Sequence, residues 1–192
     1  MASWYSTALA YSLLAASLLS LGGCSSDSGL PLLGSVPAFQ LTDQNGHNFD
    51  SAKTLQSTIW IADFMFTNCP GPCPRMSSQL KQAQTYLSGT GIKLVSFTVD
   101  PARDTPQVLF DYSRHFDARP GTWYFLTGPR QSIQVLSKDA FKLADVDDTL
   151  DHSIRFVLVD RKSRIRGYYL SSEPRIVDQI VADAKALLKE RG

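Results

Sequence analysis

The sequence predicts a single α/β domain built on a central mixed β-sheet, and three observations lead to that prediction. First, the chain of 192 residues is 43% hydrophobic and 19% charged, which suits a folded domain with one core. Second, apolar runs of strand length alternate with segments whose apolar residues repeat at helical spacing. Third, two strand-like segments near the C-terminus are separated by a short charged turn, which adds an antiparallel hairpin to the alternation.

The strands are predicted from alternation, apolar runs and turn signals. Phe39–Thr42 alternates, and Asn45-Gly46 is a strong turn signal before Phe49, so an N-terminal hairpin is expected. Residues 58–66, TIWIADFMF, form a near-continuous apolar run, which is typical of a strand buried on both faces. The other predicted strands lie at 92–99, 122–126, 154–160 and 165–170, the last two joined by the charged turn at 161–164.

The helices are predicted from apolar stripes and from the residues at their ends. Thr105 followed by Pro106 is typical of a helix N-terminus, since threonine caps the first turn and proline fits within it. Gly89 marks the end of an earlier helix. The buried faces are predicted as Met76, Leu80, Ala83 and Leu87 for the helix over 74–88, Val108, Leu109, Tyr112 and Phe116 for the helix after Thr105, Ile133, Leu136 and Ala140 for 129–141, and Ile176, Ile180, Ala184 and Leu187 for 175–189.

The resulting order of elements is that of a thioredoxin-like domain with an N-terminal β-hairpin, in which helices flank the central mixed sheet. Strand and helix alternate through the middle of the chain, and a hairpin and one helix close it. Ligands of such sheets are expected at the carboxyl ends of the strands.

The N-terminus predicts export and attachment to a membrane. The uncharged apolar segment over 8–21 is shorter than the ~20 residues of a spanning helix and fits the core of a secretory signal. It ends in Leu21-Gly22-Gly23-Cys24, which resembles a bacterial lipobox. That resemblance implies a lipoprotein signal peptide at 1–23, a lipidated Cys24, a flexible tether at 24–35 and an extracytoplasmic domain at 36–192 anchored to a bacterial membrane. A short uncleaved anchor is the alternative and gives the same topology.

Charge and cysteine count narrow the function further. The net charge is +1 and no basic run occurs, which argues against binding to nucleic acid or to anionic lipid. The three cysteines cannot form a closed disulfide framework, because their number is odd. If Cys24 carries the lipid, Cys69 and Cys73 remain as a pair.

Cys69 and Cys73 follow the buried strand and open the next helix. A helix N-terminus stabilises negative charge, so lowered thiol pKa values are expected. Two thiolates at this spacing can form a disulfide or bind a soft metal ion. A purely structural disulfide is disfavoured, since closing so short a loop removes little chain entropy.

Three motifs in this order and spacing resemble the SCO/SenC family of copper chaperones. The first is Phe66-Thr67-Asn68-Cys69-Pro70-Gly71-Pro72-Cys73-Pro74, with the family's Cys-x-x-x-Cys signature. The second is Thr98-Val99-Asp100-Pro101-Ala102-Arg103-Asp104-Thr105-Pro106, similar to the family's VDPxRDTP segment. The third is Asp151-His152-Ser153, just before a predicted strand and matching the family's histidine. The resemblance extends from about Val36 to the C-terminus.

The resemblance implies a thioredoxin-like fold that binds copper, as Cu(I) and/or Cu(II), through Cys69, Cys73 and His152. It also implies a partner: subunit II of cytochrome c oxidase or another copper acceptor, whose CuA site would receive the copper or have its cysteines reduced. Asp151 is then either a group that orients the imidazole or a solvated loop acid. Gly71 stands where many family members have an acidic residue, so the site carries one negative charge fewer.

Asp63 supports an alternative function. A charge inside the apolar run 58–66 is costly unless it is paired or protonated. Asp63 precedes Cys69 by six residues, the spacing at which thioredoxins keep a buried aspartate as a proton relay. The alternative is therefore a thiol–disulfide oxidoreductase, in which Cys69 attacks, Cys73 resolves, and a thiol reductant is a further partner. A strand-edge aspartate hydrogen-bonded to backbone is the structural interpretation of the same residue.

The acidic and basic residues of the second motif have two interpretations. Asp100, Arg103 and Asp104 lie at the carboxyl end of a predicted strand, where they could shape the site or contact a partner. A structural interpretation ties the same turn by a charge pair between Arg103 and Asp104.

Other candidate residues are assigned no role. Thr67 precedes Cys69 by two residues and lacks the neighbouring proline of the peroxiredoxin pattern, so a peroxidase is not expected. His47 and His115 match no motif, and both are predicted to lie at the surface.

Overall fold

A computed structural model describes residues 28–143 and 154–190 of the chain. In these residues eight strands form one mixed sheet in the order β1-β8-β7-β4-β5-β6-β2-β3. The strands are β1 Gly34–Ser35, β2 Gln40–Asp43, β3 Asn48–Asp50, β4 Trp60–Met65, β5 Lys93–Thr98, β6 Trp123–Thr127, β7 Arg155–Val159 and β8 Arg164–Leu170.

Four of the helices confirm the predicted order, with one change of geometry, and the short helix α1 was not predicted. They are α1 Ser51–Thr54, α2 Pro72–Tyr86, α3 Pro106–His115, α4 Arg130–Val135 and α5 Ile176–Lys189. The helix predicted over 129–141 is α-helical only in its first half and continues as a π-helix over Leu136–Ala140. There the amide of Phe141 donates to the carbonyl of Leu136, five residues earlier, at 2.9 Å.

The strand directions confirm the mixed sheet. β4, β5 and β6 are parallel, whereas β7 is antiparallel to β4 and β8 is antiparallel to β7. The predicted N-terminal hairpin of β2 and β3 joins the other side of the sheet through β6. β4 therefore lies in the interior of the sheet, and all its residues are buried, as the continuous apolar run predicted.

Alternation along β4 divides the core into two layers. Ile61 and Met65 face the layer that contains α2 and α5, whereas Trp60 and Phe64 face an aromatic layer with α4. Asp63 shares the parity of Ile61 and Met65, so it lies on the side of the sheet that α2 covers. The side chain therefore lies on the same side as the cysteine-bearing helix.

The buried face of α3 differs from the prediction at one residue. Val108 was expected to face inward, but it is 38% exposed, whereas Leu109 is fully buried. Leu109, Tyr112 and Phe116 repeat at helical spacing and pack against the core, and Val108 lies one residue off that stripe.

The N-terminal segment joins the sheet at the end opposite the carboxyl end of β4. Gly34 and Ser35 pair with the beginning of β8, and β8 runs towards the carboxyl end of β4. Before them, the Arg166 side chain donates to the carbonyls of Leu30 at 2.8 Å and Pro31 at 3.0 Å. Residues 28–35, predicted from the sequence as part of the tether, thus contact the folded domain. Within the described parts of the chain, no helix has the length and apolar character needed to cross a membrane.

Candidate metal centre

The two cysteines of the signature lie at the carboxyl end of β4. The loop from Phe66 to Gly71 connects β4 to α2, and Cys69 lies in this loop. Cys73 follows Pro72 in the first turn of α2. Both cysteines are free thiols at the sheet end where the fold predicts a site.

Backbone amides hold the two sulfur atoms. The Cys73 N–H donates to Cys69 Sγ at 3.5 Å. The Phe66 N–H donates to Cys73 Sγ, and Cys69 interacts with the Cys73 thiol. Cys69 is 7% exposed and Cys73 is fully buried. Cys69 is therefore the more exposed of the two, and it is the sulfur that another molecule can reach first.

The expected lowering of the pKa is wrong for Cys73. Burial raises the pKa of this thiol, and the interactions with Cys69 and the more distant Asp63 raise it further. The Phe66 amide acts in the opposite direction without reversing the shift. Helix α2 also begins Pro72-Cys73-Pro74, so two of its first three residues have no N–H with which to stabilise a thiolate. Burial therefore raises the pKa of Cys73 by more than the start of helix α2 can lower it.

Asp63 is fully buried beneath the cysteines, and its charge is close enough to interact with the Cys73 thiol. Burial raises the pKa of Asp63 to about 7, and the nearby Ser96 hydroxyl offsets part of that rise. No described group meets hydrogen-bond geometry at either carboxyl oxygen, however. The strand-edge interpretation is wrong, because Asp63 lies in a strand with neighbours on both sides.

The turn after β5 is not held by the charge pair expected between Arg103 and Asp104. Arg103 pairs with Asp100 at 3.5 Å and not with Asp104. The buried Asp104 side chain instead accepts from the Thr67 N–H at 3.1 Å and from the Thr67 hydroxyl at 2.5 Å. It also accepts from the Thr98 hydroxyl at 2.5 Å. Asp104 thus joins the turn after β5 to the loop that carries Cys69.

The remaining predicted residues are distributed as follows. Cys24, Asp151 and His152 lie outside the described residues. His47 and His115 are exposed, as predicted. In residues 28–143 and 154–190, no three His, Cys, Asp or Glu side chains are grouped so as to hold a metal ion. A cavity of about 340 Å³ is formed by the 36–39 segment, α1 and the β7–β8 turn, away from the cysteines.

Sequence reasoning missed two contributors to this site. The contact of Thr67 with Asp104 spans 37 residues of sequence, so no local pattern indicates it. Tyr112 was expected only as a core residue, but its hydroxyl lies 3.0 Å from Ser77 Oγ on α2. Burial raises the pKa of Tyr112, and the charges of Asp63 and the two cysteines add to that rise. In the sequence Tyr112 is one member of the apolar stripe of α3, and no pattern indicates that its hydroxyl contacts Ser77.

The fold and the site together define a thioredoxin-like dithiol protein, with a reduced cysteine pair at the start of the helix that follows the central strand. The SCO1/SenC family model matches residues 33–189. The chain therefore belongs to the SCO1/SenC family.

Solved structures agree with this assignment. A SCO1/SenC family lipoprotein from Bacillus anthracis str. Ames is 32% identical with a TM-score of 0.74, over 82% of this chain and 96% of that chain. BsSco, a member of the Sco family of cytochrome c oxidase assembly proteins in which a disulfide switch was identified, is 30% identical with a TM-score of 0.71, over 82% and 95%. Yeast Sco1 with copper bound is 30% identical with a TM-score of 0.62, over 81% and 90%.

Proposed function

We propose that this protein binds copper through Cys69, Cys73 and His152 and delivers it to an acceptor protein. The observation that carries the proposal is the pair of free thiols, with Cys73 fully buried and Cys69 7% exposed, whose sulfurs receive backbone N–H groups at the end of the central strand. The copper-bound structure of the related yeast Sco1 supports copper as the ion. Two thiolates and an imidazole are a suitable ligand set for Cu(I).

The position of Ile154 supports His152 as the third ligand. β7 pairs antiparallel with β4, with Val157 opposite Ala62. The same register, continued, brings Ile154 opposite Met65, the last residue of β4. Ile154 and Phe66 also pack against the same core layer. The chain therefore enters β7 at the end of the sheet that carries the cysteine loop, two residues after His152.

Delivery by ligand exchange fits the unequal exposure of the thiols. Both thiols lose their protons when they bind the metal. A three-coordinate Cu(I) leaves room for an incoming thiolate of the acceptor, and Cys69 is the ligand that such a group can reach and displace first. Cys73 is fully buried in the first turn of α2 and is the sulfur suited to retain copper until transfer is complete.

The acceptor and the membrane tether are part of the same proposal. BsSco, a related protein, belongs to the Sco family of cytochrome c oxidase assembly proteins, which favours a CuA-type acceptor such as oxidase subunit II. The related Bacillus anthracis protein is a lipoprotein, which favours lipidation of Cys24 and an extracytoplasmic location. Because the chain joins the sheet at the end opposite the cysteines, a lipid at Cys24 would leave the copper site facing away from the membrane.

A Cu(I) titration against a competing chelator tests the ligand set. We expect Cys69→Ser and Cys73→Ser each to weaken Cu(I) binding by at least about a hundredfold, and His152→Ala by about ten- to a hundredfold, since each removes one of three ligands. His115→Ala is the matched control, because His115 is exposed on α3, and its affinity should equal that of the wild type. An unchanged affinity in His152→Ala would remove this histidine from the site.

A thiol–disulfide oxidoreductase is the second candidate, favoured by the burial of Asp63 within electrostatic range of Cys73. The Cys69 thiolate would attack one sulfur of a substrate disulfide and release the first substrate thiol. Cys73, after giving up its proton, would then attack Cys69 Sγ and release the second. The domain would be left with a Cys69–Cys73 disulfide, and an external dithiol would have to reduce it.

Disulfide reduction by the wild type, Asp63→Asn and His152→Ala separates the two functions. An oxidoreductase predicts slower reduction in Asp63→Asn and normal reduction in His152→Ala. If His152→Ala also binds Cu(I) like the wild type, the oxidoreductase replaces the copper chaperone as the assigned function.

A further inference from the structure

We infer that Asp104 is a positioning residue for the copper site: through Thr67 it fixes the loop whose Phe66 amide donates to the sulfur of Cys73. The inference rests on the proposed function, because it treats the Cys73 sulfur as a copper ligand. Asp104 itself touches neither cysteine in any described hydrogen bond, so its effect must pass through the loop.

Three hydrogen bonds meet at the Asp104 carboxyl group. One carboxyl oxygen accepts from the Thr67 hydroxyl, and the other accepts from both the Thr67 N–H and the Thr98 hydroxyl. Thr98 is the last residue of β5, so the carboxyl group is held by a rigid strand. Both hydrogen-bonding groups of Thr67 are therefore fixed relative to the sheet.

Thr67 is connected to the Cys73 sulfur through its neighbour Phe66. The planar peptide unit that carries the Thr67 N–H also contains the Phe66 Cα, so fixing Thr67 limits how far Phe66 can move. The Phe66 N–H donates to Cys73 Sγ, and this hydrogen bond helps to set the position of the sulfur. Releasing Thr67 should therefore weaken the hydrogen bond to the sulfur although no ligand is changed.

The contacts of the Asp104 carboxyl group differ from those that merely stabilise the turn after β5. The turn has other ties: the amides of Arg103 and Asp104 donate to the Asp100 carbonyl at 3.1 and 2.9 Å. The neighbouring Thr105 caps α3 by accepting from the Val108 N–H. The carboxyl group of Asp104 reaches across to the cysteine loop, whereas these other contacts stay within the turn and α3.

The test compares Asp104→Asn, Thr67→Val and Thr67→Ser with the wild type in the full chain, with Thr105→Ala as matched control. Asp104→Asn replaces one acceptor oxygen by a donor, and we expect about tenfold weaker Cu(I) binding, the size of effect typical of a lost charge-assisted hydrogen bond. Thr67→Val should show a smaller loss, and Thr67→Ser, which keeps the hydroxyl, should bind within about twofold of the wild type. Thr105→Ala should lose stability but keep its Cu(I) affinity.

Two spectroscopic readouts report on positioning rather than on stability. In the metal-free protein, the Phe66 amide proton resonance should shift in Asp104→Asn and Thr67→Val but not in Thr105→Ala. In the Cu(II) form, the sulfur-to-copper charge-transfer band should move in the same two variants. Wild-type affinity together with an unmoved Phe66 resonance in Asp104→Asn would overturn the inference. If Asp104→Asn does not fold, the Cu(I) affinity and the Phe66 resonance of the Thr67 variants test the inference instead.

The two proposals fail in different ways. A wild type that does not bind Cu(I) contradicts the copper function. The Phe66 resonance of the metal-free variants still tests whether Asp104 positions the loop. A wild type that binds Cu(I), with Asp104→Asn and Thr67→Val indistinguishable from it in every readout, contradicts only the role of Asp104.

Discussion

Asp63→Asn is expected to stabilise the protein by up to about 4 kcal/mol at pH 8 and by less than about 1 kcal/mol at pH 4. The reason is the buried carboxyl group, whose pKa is raised from 3.8 to about 7 in the folded protein. Above its ordinary pKa the carboxyl group ionises in the unfolded chain but stays protonated in the folded one, so the cost of burying it grows with pH. That cost levels off above about pH 7, where the folded protein also ionises, and asparagine avoids it throughout.

Urea denaturation of both proteins at the two pH values measures this difference. Asp111→Asn is the matched control, because Asp111 is an exposed aspartate on α3, and its effect on the free energy of unfolding should be small at both pH values. An Asp63→Asn advantage that is equal at pH 4 and pH 8 would show that the ionisation of Asp63 is not the cause.

Arg166→Met is expected to destabilise the protein by about 3 to 5 kcal/mol at pH 7, because it leaves two carboxylates without their buried partner. The Arg166 guanidinium, 4% exposed, lies 3.2 Å from Asp160 and 2.7 Å from Glu190. Its contact with Glu190 is the main cause that lowers the pKa of that carboxyl group to about 2. The same side chain holds the carbonyls of Leu30 and Pro31, so its loss also frees the segment by which the chain enters the domain.

Arg164→Met is the matched control for this experiment. Arg164 pairs with the same Asp160 at 2.7 Å, but its side chain is 35% exposed, so the expected loss is only about 1 kcal/mol. Glu190 has a lowered pKa, so its contribution is present above its ordinary pKa of 4.5 and disappears as the pH falls towards about 2. Chemical denaturation should therefore show the Arg166→Met deficit shrinking below pH 4.5. Equal losses in the two variants at pH 7 would contradict the buried network.

Most of the fold could be predicted from the sequence, because its signals are local. The apolar run of β4, the stripe of α2 and the Thr105-Pro106 start of α3 each specify an element within a few residues. The prediction missed the exposure of Val108 and the π-helical half of the predicted helix over 129–141. Both features depend on how a helix packs against its neighbours, which cannot be predicted from a stripe of apolar residues.

The candidate site, like the fold, has features that could be predicted from the sequence and features that could not. The cysteine pair and its place after the central strand could be predicted from spacing and from the order of elements. The raised pKa of Cys73 could not, since it depends on how completely α2 and the core exclude water from the sulfur. Nor could the sequence predict that Arg103 pairs with Asp100 and Asp104 with Thr67. Both pairings depend on the geometry of two loops that meet at one end of the sheet.

The sequence by itself determined which residues are the candidates for the chemistry and the order of the elements that present them, because motif spacing and hydrophobic periodicity are properties of neighbouring residues. Only the tertiary structure decided the electrostatic state of those residues and their supports. Burial sets the pKa of Asp63 and Cys73, and contacts between distant segments join Asp104 to Thr67 and Arg166 to the N-terminal segment. Such effects depend on the exclusion of water and on long-range packing, which arise when the sheet and its helices come together.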